Sequence, residues 1–301
     1  MNFVTSYQTV LSKIEDIDPE KYGRTRNYLD GAVTYLSPYI SRGVISTRQI
    51  LETVIKSGFQ PYRIEKFIQE LAWRDYWQQV ALANKARMND DLKQPQPAAQ
   101  RVGLPLNLLN HQTGILAIDN AIQDFYNTGY LHNHVRMYIA SMACNVAKCH
   151  WKIPAKWMYY HLLDADWASN ALSWQWVSGA NSNKLYYANQ ENINRYCYTH
   201  QQGSYLDVSY DAFEQMPIPD ALQQVVVPDF TTCLPNVPEP EIDENLPTLI
   251  YNFYNLDPNW RNDLNANRIL LLEPSVFKQF PISTKSLEFC LNLAKDNIPG
   301  I

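Results

Sequence analysis

Two carboxylates and three indoles fall within "LLDADWASNALSWQW", Leu162 to Trp176. Asp164 and Asp166 alternate, so they cannot share a helix face. Asp166 and Asn170 can, if a helix runs here. One acid suits an arginine partner, and the other suits a ligand N–H. Paired carboxylates also serve acid/base hydrolysis, but no sugar-site pattern or nucleophile elbow accompanies them. Trp174 and Trp176 point to different sides if a helix runs here. A second cluster is "ELAWRDYW", in which Glu70, Trp73 and Arg74 share one helix face. Carboxylate, indole and guanidinium together suit an aromatic, polar ligand, or else a surface helix with an i,i+4 ion pair. A third is "GYLHNHVRM", in which Asn133 and Arg136 are three apart. The amide can hold a heteroaromatic edge or a carbonyl, though a satisfied surface helix reads the same. His132 and His134 sit at i, i+2, off the i, i+4 spacing of a helical metal pair, so no metal is expected.

These clusters need helices to carry them. Residues 1–90 read as helical, with Ile64, Phe67, Ile68 and Leu71 on one stripe. Glu70, Trp73, Arg74 and Trp77 form a second stripe, aromatic and charged at once. "QPQPAAQRVGLP" (94–105) reads as a loop. Past Gly129, Leu131, Val135, Ile139, Met142 and Val146 make an apolar face. A further helix covers roughly 154–164, with Pro154 in its first turn. No strand-like alternation occurs in the first 200 residues, so the body is read as all-α.

The character changes near residue 215. Eight prolines fall between 217 and 258. The expected organisation is a helical domain over 1–215, an extended Pro-rich linker over 216–262 and a partial α/β unit over 263–301. In that unit "RILLLEPSVF" (268–277) is read as one buried strand without a partner. "STKSLEFCLNLAKDN" (283–297) is read as one helix, capped by Ser283 or Thr284.

The bulk numbers exclude some classes. The chain has 301 residues and a net charge of −5. The charge is uneven, about +1 over residues 1–215 and −6 over 216–301. A balanced body can still present a basic face. Twenty tyrosines and eight tryptophans supply flat apolar surfaces with polar handles. Ten glycines argue against a Gly-rich phosphate loop. Five scattered cysteines without zinc spacing fit reduced thiols in a cytoplasmic protein. No signal core or membrane-length apolar run is visible.

In order, "TYLSPYISRGVIS", "ELAWRDYW", "QTGILAIDNAIQDFYNTGYLHNHVRM" and "LLDADWASNALSWQW" resemble the FAD-binding helical domain of the DNA photolyase/cryptochrome family. The resemblance covers about residues 20–200. That family places an α/β antenna domain ahead of the helical domain, whereas this sequence starts at the helical domain. An antenna domain is therefore expected to be missing or separate.

The resemblance implies FAD as cofactor, with Tyr22, Thr34, Leu36, Ser37 and Arg74 on the phosphate side. Val33 stands where a second hydroxyl is common. Arg136 and Asp164 match a buried ion pair beside the isoalloxazine. Asp166 matches the acid facing flavin N3, and Asn170 the residue near N5, where Asn is typical of photolyases. Glu70 and Asn133 match groups that bind the carbonyls of a cyclobutane pyrimidine dimer, with Asn133 also touching the cofactor. Trp73 and Trp176 match the indoles that pack on a dimer flipped out of damaged DNA, and Met137 a pocket thioether. Light-excited reduced flavin would donate an electron and the cyclobutane ring would split. Trp174 and Trp151 match the proximal and middle members of the tryptophan chain that photoreduces flavin. The distal position is Leu108. His134 replaces an arginine that contacts phosphate. Trp167 is left to packing. The implied activity is that of a deoxyribodipyrimidine photolyase-like lyase. The alternatives are a cryptochrome-like blue-light sensor, or a degenerate FAD- or nucleic-acid-binding module without catalysis.

Overall fold

The computed structural model describes residues 2–237 and 239–301. The chain begins with α1 (Tyr7–Glu15), α2 (Pro19–Thr25), α3 (Ser37–Ser41), α4 (Thr47–Lys56) and α5 (Glu65–Asn84). A two-residue strand, β1 (Leu104–Pro105), precedes α6 (Leu106–Leu109), α7 (Leu116–Thr128) and α8 (Asn133–Ser141). The latter continues as a π-helical turn over Met142–Val146. Next come α9 (Lys152–His161), α10 (Trp167–Ser178) and α11 (Gln190–Cys197). The remainder holds β2 (Val225–Val226), β3 (Thr248–Tyr251), β4 (Asn267–Leu270), α12 (Pro274–Gln279) and α13 (Thr284–Asn297). The body is all-α, as its periodicity predicts.

Helix α10 is the centre, packed against α5, α8 and α9. It lacks a broad polar face because most of it is enclosed: Trp167, Ala171, Leu172, Trp174 and Val177 are all buried, while Ser173 and Trp176 are exposed. Asp166 caps its N-terminus, accepting from Ser169 N at 3.2 Å. Gly129 ends α7 at φ +70°, and a Cβ there would stand 2.7 Å from Leu163 Cγ. That close approach lets Gly129 O accept from Leu163 N at 2.8 Å.

The chain after α11 differs from the sequence expectation. The part over 216–237 lies on the body: β2 pairs antiparallel with β1, and Phe230 stacks on Tyr160 at 4.4 Å. The strand expected over 268–277 stops at Leu270, because Pro274 opens α12 with Glu273 as its cap. That strand is not alone. β3, inside the stretch read as linker, pairs with β4 in parallel over Thr248–Asn267 to Tyr251–Leu270. The expected single strand and single helix become two strands and two helices. Ser283 caps α13 as anticipated, accepting from Ser286 N. Helix α13 reaches back to the N-terminus, where Asn297 bonds Tyr7 N and Thr5 O, each at 2.7 Å.

Candidate functional site

A cavity of about 680 Å³ opens between α5, α8, α10 and the segment that enters α3. Fourteen of the sixteen residues singled out above line it. Tyr22 comes from α2, and Thr34 and Ser37 from the entry to α3. Glu70, Trp73 and Arg74 come from α5, and Asn133, Arg136 and Met137 from α8. Asp164 and Asp166 sit on the loop between α9 and α10, with Asn170, Trp174 and Trp176 on α10 itself. Leu36 does not line the cavity, because its apolar side chain is fully buried in the core. Trp151 is also fully buried and stands behind the wall.

The deep end is built around Asp164. Its Oδ2 accepts from Arg136 Nη1 and Nη2, both at 3.1 Å. Burial pushes this carboxyl up, but the Arg136 and Arg74 guanidiniums and the Ser37 hydroxyl outweigh it and hold the group below its ordinary range. Arg136 is fixed in turn by Leu131 O at 2.9 Å. Asn170 donates its amide to Ala155 O at 2.8 Å, leaving the amide oxygen as its remaining polar atom.

Asp166 is more heavily engaged. Gln78 Nε2 donates to both of its oxygens, at 2.9 and 2.8 Å. Ser169 Oγ adds a bond at 2.8 Å, and Arg74 Nη2 lies 3.2 Å from Oδ2. The resemblance assigns the flavin N3 edge to Asp166, yet the buried acceptor without a partner is Oδ1 of Asp164. Arg74 Nη2, although close to Asp166, is not aligned for a hydrogen bond and is a buried donor without one.

The open end is aromatic. Trp73 is 43% exposed and Trp176 42% exposed. Trp73 stacks on Trp77 at 5.3 Å, and Trp176 lies 6.2 Å from Tyr186. The i,i+4 alternative for Glu70 fails: it pairs not with Arg74 but with Arg26, at 3.0 Å. Arg26 also lines the cavity. Sequence reasoning passed over Arg26, and only a pattern linking α2 to α5 could have found it. Burial, with Arg26 nearby, lowers the pKa of His134 against the opposing contact of its Nδ1 with Asn27 O at 2.9 Å.

The resemblance assigns a tryptophan chain to Trp174, Trp151 and the position of Leu108. Leu108 is fully buried in the core. Trp157 donates to Tyr126 OH at 2.9 Å, away from Trp151. The indole beside Trp151 is Trp167, with centroids 6.4 Å apart. Trp167 also packs on Tyr159 and Phe280 and donates to Asn89. Among the described residues, Trp174 makes no ring–ring pair.

A buried acceptor and a buried donor, both unpartnered on one cavity wall, call for a ligand carrying N–H groups and anionic oxygens. FAD has both, in its isoalloxazine edge and its diphosphate, and the donor set fits it.

Comparison with known proteins agrees. Residues 67–214 match the model of the FAD binding domain of DNA photolyase. A deoxyribodipyrimidine photo-lyase of Thermus thermophilus is 31% identical over 163 residues, covering 53% of this chain and 38% of its own. That of Alkalihalophilus pseudofirmus is 26% identical over 163 residues, covering 50% and 32%. The chain thus spans about a third of the length of these curated relatives. Among solved structures, a Synechocystis cryptochrome superposes with a TM-score of 0.57 at 23% identity, over 65% of this chain and 44% of that one. A class III photolyase from Agrobacterium tumefaciens gives 0.53 at 20% identity, over 74% and 53%. Over residues 67–214 the chain thus matches the FAD binding domain of DNA photolyase, with FAD as the cofactor.

Proposed function

We propose that this protein splits cyclobutane pyrimidine dimers in DNA under blue light. One observation carries the reading. The residues matching a dimer pocket (Glu70, Trp73, Asn133, Met137 and Trp176) line the same cavity as those matching the flavin edge. A flipped dimer entering the mouth would meet two half-exposed indoles, which bind bases by stacking irrespective of sequence. Asn133 has an exposed side chain at the start of α8, so its amide is available to a base carbonyl. Glu70 is available once Arg26 yields it. Asp164, with Arg136, would hold the flavin ring in a dry wall where electrostatic contacts are strong. When bound and reduced, FAD would supply light-driven one-electron chemistry without net consumption of reductant.

The test is an oligonucleotide carrying a cyclobutane dimer, illuminated with the reduced protein. The dimer should be lost. Glu70→Ala should cut repair at least tenfold with FAD still bound; unchanged repair would remove Glu70 from the pocket. A blue-light sensor is the second reading, favoured by His134 in place of a permanently charged arginine, since burial disfavours its charged, phosphate-attracting form. Retained FAD without any repair would select it.

A further inference from the structure

The loop 162–166 carries both site aspartates and sits between two helices with no strand to pair with. Its backbone oxygens, together with the last carbonyls of α9, need partners from elsewhere. Those partners come from the chain's C-terminal part and from one arginine. Ser286 Oγ donates to Leu162 O at 3.1 Å. Arg42 donates through Nε and Nη2 to Leu163 O, at 3.1 and 2.8 Å. Tyr254 OH lies 3.0 Å from Ala165 O and 3.0 Å from Tyr159 OH. Ser283 N donates to Tyr160 O in α9 at 2.8 Å. While the Asp164 and Asp166 side chains engage Arg136, Arg74 and Gln78, the main chain between and before them is gripped by this second set.

Arg42 ties the set together. It is fully buried, and no carboxylate among the described residues lies within ion-pair distance of it. Its Nη2 also reaches Ser286 Oγ at 3.1 Å, and its guanidinium lies over Phe253 and Tyr254 at 5.4 and 5.7 Å. Leu256 N donates to Arg42 O at 2.8 Å. The next residue, Gly43, has φ +70°, and a Cβ there would come within 2.6 Å of Tyr254 O. A buried cation without a carboxylate partner is costly. It is tolerated here because it bonds Leu163 O just past the end of α9 and lies over the Phe253 and Tyr254 rings.

We infer that the segment 248–301, acting through Tyr254, Ser286 and Arg42, is a positioning element of the flavin site. It fixes the 162–166 loop so that Asp164 and Asp166 present their carboxylates at the set positions. Tyr254, Ser286 and Arg42 are positioning residues; none lines the flavin cavity. The inference rests on FAD as the cofactor and not on dimer repair, so the two can fail separately.

The experiment uses the full chain with Tyr254→Phe, Ser286→Ala and, as a control, Thr232→Val. Thr232 holds the same segment elsewhere, bonding Ile282 O and N at 2.9 and 2.8 Å. Apoprotein melting and FAD titration by fluorescence are measured for each, together with the visible absorption band of bound flavin. Tyr254→Phe keeps the ring, and should weaken FAD binding about tenfold and shift the flavin band while the apoprotein melts near wild type. Ser286→Ala should do the same more mildly, and Thr232→Val should leave both readouts in place. FAD affinity unchanged in both variants overturns the inference. So does an equal loss in Thr232→Val, which would mean ordinary destabilisation. If the Tyr254→Phe apoprotein fails to fold, the comparison of Ser286→Ala with Thr232→Val decides alone.

Discussion

The two ends of the cavity each hold an arginine–carboxylate pair, and the pairs are built for opposite purposes. Arg136 and Asp164 have side chains 20% and 7% exposed, with Arg136 pinned by a backbone carbonyl. Arg26 and Glu70 are 26% and 29% exposed, and among the described residues no further side-chain bond fixes either of them. The deep pair is hard to break, since losing one partner strands the other charge in a dry wall. The mouth pair is solvated enough to exchange one partner for another at small cost. A site that keeps its cofactor and admits a substrate needs one of each.

The largest effect should follow from breaking the deep pair. Arg136→Met leaves Asp164 buried without its counter-ion, and should cost about 3–5 kcal/mol of stability in a denaturant titration and release FAD. If FAD stays bound with stability intact, the deep end is not the rigid end. Next in size, Trp73→Ala or Trp176→Ala should weaken binding of dimer-containing DNA by about 1–3 kcal/mol, read by fluorescence anisotropy, with FAD affinity unchanged. An equal loss on undamaged duplex would make the indoles a general surface and not a dimer pocket. At the mouth, Arg26→Gln should change stability by less than about 1 kcal/mol in the same denaturant titration.

Acid should separate the deep carboxylate from two buried histidines outside the cavity lining by pH. Burial, with His134 and Arg136 nearby, lowers the His132 pKa from 6.5 to about 4, and burial next to Lys285 lowers that of His161 to about 4. Between those values the unfolded chain takes protons that the folded chain refuses. Stability is therefore complete above about pH 6.5 and falls as the pH drops toward 4. The Asp164 carboxyl is also depressed, from 3.8, so its contribution is lost only below that value. Urea midpoints measured from pH 7 to 3 should fall first in the histidine window, and His132→Gln should flatten part of that fall. The smallest expected change is in Trp174→Phe, which should slow photoreduction of oxidised flavin, followed by absorption, while repair by chemically reduced protein persists.

Much of the helical body is legible in the sequence because its signals are local. The stripe from Ile64 to Leu71 and the face from Leu131 to Val146 repeat within a few residues, and they mark buried surfaces wherever the helix ends up. The C-terminal part is not legible in that way, because its strands depend on a distant partner. "RIL" pairs with "LIY" across residues 252–266, and Pro274 turns the following residues into a helix. Nothing in the local pattern of either strand announces the other.

The same division runs through the site. Four ordered motifs in the sequence carried the resemblance to a helical FAD-binding domain, and with it the implied cofactor, because each motif is a set of residue types at fixed local spacing. Which charges meet was decided only by the tertiary structure. Glu70 takes Arg26 in place of Arg74, Arg74 takes Asp166, and Arg42 grips Leu163 O from across the chain. Ion pairs and buried carbonyls are satisfied by whichever group packing brings within about 3 Å. Sequence spacing fixes neighbours on one helix but not the partners that other helices deliver.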